Sequence, residues 1–221
     1  PLVKKENIIV ISSNELTPEG YLNYEDFIAG CPENEPENVD QKENDIFYFG
    51  YTSGTTGFPK GAMNTTRGTL DIIKNIFVRT AGKKHIDLSK RVILVIIPVC
   101  HSNSVWATLI TFWCGGTNVI FPSGQFNPEK ALQLIEKEKV TTSSMVPTMI
   151  IKILSLSDRV KIKYDMSSLT SLGSSSAPLL TKTKEEAMGF FKNVRFSEGY
   201  GSTETGALTT LRHRDQVRKI R

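Results

Sequence analysis

Tyr51-Thr52-Ser53-Gly54-Thr55-Thr56-Gly57-Phe58-Pro59-Lys60-Gly61 sets the frame for the whole chain. Before it stands Asp45-Ile46-Phe47-Tyr48-Phe49-Gly50, apolar, aromatic and β-prone; after it Ala62-Met63 leads into a run of helical period. The pattern predicts a small polar loop leaving the end of a strand. Its glycines free backbone N–H groups, its hydroxyls sit on short side chains, and Lys60 adds a mobile positive charge. Such a loop wraps an anion, and phosphate is the expected ligand. Thr52, Ser53, Gly54, Thr55, Thr56, Gly57 and Lys60 are the candidate contacts. A Walker A loop is excluded, because Gly57 is followed by Phe58-Pro59-Lys60-Gly61, with no hydroxyl after the lysine to hold magnesium. The plain alternative is a solvated turn, but eleven residues of this density ending in Pro-Lys-Gly speak against it.

Downstream, Thr65 or Thr66 caps a predicted helix with Leu70, Ile73, Ile76 and Phe77 on one face and Gly82 as its stop. Arg91 to Ile97 reads as a strand buried on both faces. Val105 to Cys114 is apolar nearly all round before Gly115-Gly116, which predicts a buried helix. Thr117 to Phe121 is the next strand. Asn127-Pro128-Glu129 is a strong helix start, combining a capping side chain, a first-turn proline and an acid near the positive end. Val140–Val146 then reads as a strand, Pro147 as the start of a helix, Leu169–Ser174 as a strand, Leu180–Phe191 as a helix and Val194–Phe196 as a strand. Strand and helix in alternation predict an α/β fold, a mainly parallel sheet flanked by helices. Residues 1–44 are set apart: a strand at Ile8–Ile11, a short helical turn at Tyr24–Ile28 and an exposed acidic linker over 31–44. Residues 45–221 form the α/β core.

Chemistry-bearing residues cluster after the predicted strands, the edge at which open α/β sheets bind ligands. One shared crevice is therefore expected. His101 follows the 92–97 strand beside Ser102 and Asn103. A lone histidine there is commonly structural, but its place after a buried strand favours a functional role. Ser174-Ser175-Ser176-Ala177-Pro178 offers small residues against which a planar ring can lie. Its alternative reading is a helix cap before Pro178. In Glu198-Gly199-Tyr200-Gly201-Ser202-Thr203-Glu204, Tyr200 offers an aromatic face, Thr203 a hydroxyl, and Glu204 a hard oxygen ligand suited to magnesium. Trp106 and the segment around Val146 are candidates for an acyl pocket by position alone, and Trp106 could equally be core.

These segments together resemble the adenylate-forming enzymes: acyl-CoA and aryl-CoA synthetases, peptide-synthetase adenylation domains and firefly-type luciferases. The resemblance is carried by Tyr51 to Gly61, Pro98 to Asn103, Gly173 to Leu179, and Glu198 to Gly206, in the family's order, from about residue 45 onward. It implies part of the N-terminal domain of such an enzyme, most like an acyl-CoA synthetase. It implies that Ser175, Ser176, Ala177, Gly199, Tyr200, Gly201 and Ser202 bound the adenine site, that Thr203 approaches the α-phosphate and that Glu204 binds Mg2+. His101, with Ser102, Asn103, Trp106 and Val146 nearby, would face the carboxylic acid. Lys60, His101, Thr203 and Glu204 are the expected catalytic set. ATP, Mg2+ and coenzyme A are the expected cofactor and co-substrates, and an acyl or aryl carboxylic acid the expected substrate. A peptide-synthetase-like or luciferase-like enzyme and a truncated ATP-binding module are the alternatives. The chain departs from the family at Ser104, where glycine is common, and at Ser175 and Ser176, where some members carry glycine.

Composition narrows the classes. With 39% hydrophobic and 23% charged residues, the chain is an ordinary globular protein needing no disulfides. A net charge of +4 without a basic cluster argues against a nucleic-acid partner. The one basic run, Arg212 to Arg221, reads as a solvated end. Three cysteines without paired spacing point to a reducing, cytoplasmic setting, and no apolar run is long enough to span a bilayer. A start at Pro1, and the lack after Glu204 of the aspartate and lysine motifs that the resemblance implies, are expected of a piece lacking the remainder of a parent enzyme. That piece alone is expected to be inactive.

Overall fold

The computed structural model describes residues 4–11, 17–53, 57–81 and 87–219. The chain divides into two units, Pro1–Gln41 and Lys42–Arg221. In the first, β1 (Ile9–Val10) runs parallel to β2 (Leu22–Asn23), and α1 (Tyr24–Ala29) follows directly. Asn23 Oδ1 caps α1 by accepting from the N–H groups of Glu25 and Asp26 at 2.8 and 3.2 Å. Residues 31–44 are exposed throughout and carry neither helix nor strand.

The second unit opens with β3 (Ile46–Thr52) and β4 (Lys60–Thr65), paired antiparallel as a separate two-stranded ribbon. This corrects the expected strand, loop and helix: Tyr51-Thr52 and Lys60-Gly61 are paired strand ends of a hairpin outside the main sheet. The residues after Gly61 pair backbone to backbone with Phe49 and Gly50 before the helix starts, and single-sequence periodicity does not register such pairing. α2 (Thr66–Ala81) follows, with the Gly68 N–H donating to Thr65 Oγ1 at 3.1 Å. The expected stop at Gly82 lies outside the described residues.

The remainder is β5 (Val92–Val95), α3 (Ser102–Trp113), β6 (Thr117–Ile120), α4 (Pro128–Lys137), β7 (Thr142–Met145), α5 (Pro147–Leu154), α6 (Asp158–Lys161), β8 (Ser171–Ser174), α7 (Thr181–Phe190), β9 (Arg195–Ser202), β10 (Gly206–Leu211) and α8 (His213–Lys219). Six strands form one sheet in the order β10-β9-β8-β7-β5-β6, and only β10 is antiparallel to its neighbour. The mainly parallel α/β fold expected from the sequence is what forms. Asn127 Oδ1 accepts from the Lys130 N–H at 3.0 Å and starts α4 as predicted.

One face of the sheet builds the core. In register across it stand Leu94, Ser143, Leu172 and Phe196, each buried. Leu132 and Ile135 of α4 and Ile150 and Ile153 of α5 close over that face, all fully buried. Buried Ser143 is satisfied by donating to the Leu94 carbonyl at 3.0 Å. Fully burying one such aliphatic side chain stabilises by about 1.5–3 kcal/mol.

Three further expectations are corrected. α3 begins at Ser102, not Val105, and is one-sided, with Trp106 and Ile110 buried but Phe112 and Trp113 exposed. β9 runs on to Ser202 and pairs with β10, a strand that its Gly- and Thr-rich sequence did not announce. The basic end is a packed helix rather than a solvated tail. Gln216 is 1% exposed and its Nε2 donates to the carbonyls of Phe196 and Leu211, both at 3.3 Å. His213 Nδ1 accepts from the Phe196 N–H at 3.2 Å. β10 pairs with β9 only from Leu211 opposite Glu198 onward, so these side chains satisfy the backbone of β9 below that point.

Candidate active site

Parallel strands expose their C-terminal ends at one edge, and the loops leaving β5, β8 and β9 meet there. A crevice of 790 Å³ opens at that edge between the sheet and α3. His101, Ser102, Asn103, Trp106 and Val146 line it, as do Ser175, Ser176 and every residue from Gly199 to Glu204. Ala177 is exposed and not among the lining residues.

His101 is the N-cap residue of α3, in extended backbone conformation. Its carbonyl accepts from the N–H groups of Ser104 and Val105 at 2.9 and 3.1 Å, and its ring makes no capping bond. The ring is therefore held at the crevice by the helix start alone. Ser104, the departure from glycine, is buried, and its hydroxyl donates to the Ile97 carbonyl at 2.6 Å. The hydroxyl ties the first turn of α3 to the end of β5 and fixes the loop that carries His101. Asn103 Nδ2 donates to Ser175 Oγ at 2.6 Å, joining α3 to the loop after β8. Ser102 Oγ and Trp106 Nε1 are buried without a hydrogen-bond partner. Ser176 has φ +70°, the left-handed conformation that glycine adopts freely.

The β9–β10 turn presents Thr203 and Glu204. Ser202 Oγ and Thr205 Oγ1 lie 2.9 Å apart and brace it. The Glu204 carboxyl is held below its ordinary range, chiefly by the Ser202 hydroxyl, then by its own backbone N–H, with Lys60 adding a favourable charge. The β3–β4 hairpin and this turn meet at Gly50. Gly50, the one buried residue of β3, is the contact between them: a Cβ there would run into Thr203 Cγ2 and stand 3.3 Å from Ser102 Oγ. Thr52 lines the crevice and its Oγ1 reaches the Lys60 carbonyl at 3.5 Å. Ser53, Gly57 and Lys60 are exposed on the hairpin, outside the crevice lining. Gly54, Thr55 and Thr56 lie outside the described residues.

Among the described residues no cluster of three metal-type ligands occurs. Glu204, ionised and exposed, is a single hard oxygen donor. It fits Mg2+, which takes one or two carboxylates and completes its shell with phosphate and water.

Sequence reasoning gave no role to Lys184 of α7, which pairs with Glu198 of β9; their side chains are 12% and 21% exposed. The pair fixes the strand leading into Gly199–Glu204. Fourteen residues separate the partners, and only the α7–β9 connection brings them together, so no local signal announces it.

Residues 2–221 match the family model described as AMP-binding enzyme, and the chain belongs to that family. Its curated relatives include 4-coumarate–CoA ligase 1 of Arabidopsis thaliana, 29% identical over 96% of this chain and 38% of the relative. 4-Coumarate–CoA ligase 1 of Solanum tuberosum is 28% identical over 93% of this chain and 37% of its own length. The chain thus spans under two fifths of the length of these relatives. Among solved structures, the luciferase-like enzyme of the nonluminescent mealworm Zophobas morio superposes with TM-score 0.75 at 24% identity, over 96% of this chain and 47% of that one. The N-terminal domain of FACL13 from Mycobacterium tuberculosis superposes with TM-score 0.75 at 23% identity, over 90% of this chain and 48% of that one. These likenesses establish the fold of the N-terminal domain of an adenylate-forming enzyme. Among the described residues no helix is long and apolar enough to cross a membrane.

Proposed function

We propose that the protein joins a carboxylic acid to coenzyme A through an acyl-adenylate, using Mg-ATP. The observation that carries this reading is the meeting of two turns. The hairpin bearing Lys60 and the β9–β10 turn bearing Thr203 and Glu204 oppose each other over Gly50, beside the crevice that holds His101. A hydroxyl and an ionised carboxylate on one turn, with a lysine on the hairpin packed against it, suit a triphosphate and its metal ion.

In the first step a carboxylate oxygen of the acid attacks the α-phosphorus of ATP. A P–O bond forms and the bond to pyrophosphate breaks. Bound Mg2+ would neutralise charge on the phosphates, and Glu204 is the residue that would hold it. Lys60 and the Thr52 and Thr203 hydroxyls stabilise charge that builds on phosphate oxygens, a term that outweighs covalent help from the protein in such transfers. Tyr200, 70% exposed, and the Ser175–Ser176 backbone offer surfaces for adenine. His101, which lines the crevice, would face the acid carboxylate as it meets the α-phosphate. In the second step the coenzyme A thiolate attacks the acyl carbonyl and AMP leaves. Cys31, Cys100 and Cys114 are all unbonded thiols, in keeping with a reducing cytoplasm, and none is needed as a nucleophile.

The test is acid-dependent exchange of labelled pyrophosphate into ATP by the full-length protein that carries this chain, the form used in every exchange assay below. Glu204→Gln and Lys60→Ala should each lower exchange by about 100-fold, the usual scale for one electrostatic contact to a transition state. Exchange in both variants at the unsubstituted rate would refute the reading.

A further inference from the structure

The crevice does not end at the strand tips. On the side facing α3 the sheet presents two rows of small residues. Thr142 and Ser171 stand side by side in the first row, which ends at the exposed Arg195; Ser144, Gly173 and Ser197 form the second, one step further along. Ile93 and Val95 of β5 continue the sheet wall, and Trp106, Ala107 and Ile110 of α3 make the opposite wall apolar. Short side chains on β7, β8 and β9 leave the gap to α3 unfilled, so the cavity runs down to the N-terminal end of the sheet. Arg91 lines it there. Six residues of near-extended chain separate Arg91 from Ile97, about 20 Å.

Arg91 is in an unusual position. Burial pushes its pKa down; Cys114 offsets this in part, and Arg195 pushes the same way as burial. Among the described residues neither arginine has a carboxylate partner. A half-buried guanidinium lining a cavity with no anion paired to it is unfavourable unless a ligand supplies the charge. Its planar fork suits a carboxylate with two parallel hydrogen bonds.

We propose that Arg91 forms an anion subsite at the deep end of the crevice, and that the acid activated is an elongated dicarboxylic acid. One carboxylate lies near His101 and Thr203. The spacer lies along the apolar wall, and the second carboxylate is held by Arg91. This rests on the acid-activating reading above and adds the substrate class to it.

The experiment compares dodecanedioic acid with dodecanoic acid in pyrophosphate exchange, with octanoic acid, which has no distal charge, as a third probe. The readout is the ratio of kcat/KM for the diacid to that for the matched monoacid, taken within each variant, so loss of folded protein cancels. The unsubstituted protein should favour the diacid by about tenfold or more, the scale of one charged hydrogen bond. Arg91→Gln should bring the ratio to about one, and Arg91→Lys should keep part of the preference. A ratio at or below one before substitution, or a ratio that Arg91→Gln leaves unchanged, overturns the anion subsite while exchange with the monoacids still upholds acid activation. If none of the three acids drives exchange, acid activation itself falls, and the subsite with it.

Discussion

Asn103 donates to Ser175 across 2.6 Å, and through that bond the start of α3 and the loop after β8 become one wall of the crevice. The two residues are 72 apart in the chain. Asn103→Ala should cost about 1 kcal/mol of stability, the net value of a neutral hydrogen bond. It should also weaken Mg-ATP binding, because Ser175 would no longer be held in place. Urea denaturation and calorimetric titration check the two effects separately.

Ser176 sits at φ +70°. The left-handed conformation costs a non-glycine residue about 1 kcal/mol. Ser176→Gly should therefore raise stability by roughly 0.5–1 kcal/mol, part of the gain being lost to the freer unfolded chain. Ser176→Val, with a branched Cβ, should lower it. The midpoint of chemical denaturation decides both.

Gly50 leaves no room for a side chain against Thr203 Cγ2. Gly50→Ala should force the hairpin away from the β9–β10 turn, at a stability cost of about 1–3 kcal/mol. Pyrophosphate exchange should fall further than stability does, since the displaced turn carries Glu204. A folded Gly50→Ala protein with full exchange would show that the contact between hairpin and turn is not needed.

The Glu204 carboxyl titrates below its ordinary range, with the Ser202 hydroxyl as the largest cause and Lys60 a smaller one. A carboxyl whose folded pKa is depressed contributes stability above its unfolded pKa, and that contribution is lost as pH falls through the folded pKa. Metal and phosphate binding at Glu204 should accordingly persist to a pH below the usual glutamate range. Ser202→Ala should raise the Glu204 pKa more than Lys60→Ala does. Carbon-detected NMR titration of the side-chain carboxyl reads the order directly.

Lys184 and Glu198 are paired and largely buried. Glu198→Ala should destabilise by about 2 kcal/mol, since it removes one half of a partly buried ion pair and leaves the ammonium without its partner. The double variant Lys184→Met with Glu198→Leu should recover much of that loss. A double-mutant cycle in denaturant measures the coupling.

Strong local patterns were legible in the sequence. Asn127-Pro128-Glu129 started a helix because capping, φ restriction and dipole act within four residues. Arg91 to Ile97 contained a buried strand because a parallel strand covered on both sides is apolar at every position. The hairpin at the polar loop and the strand Gly206–Leu211 were not legible. β4 reads Lys-Gly-Ala-Met-Asn-Thr and β10 Gly-Ala-Leu-Thr-Thr-Leu, and neither alternates clearly. What makes them strands is the partner each lies beside. The same holds for α8, whose charged sequence hides that Gln216 and His213 serve the backbone of β9.

The sequence by itself determined the alternation of strands and helices, and marked the Gly/Ser/Thr segments, His101, Thr203 and Glu204 as candidates once the family resemblance was added. The alternation follows from residue type and short-range spacing. Only the tertiary structure decided that Gly50 packs against Thr203, that Asn103 holds Ser175, and that small residues in register on β7, β8 and β9 keep a channel open down to Arg91. Each of these depends on which strand lies beside which. That order is set by burying one face of a six-stranded sheet under α4, α5 and α7, a condition on the whole chain that no window of residues contains.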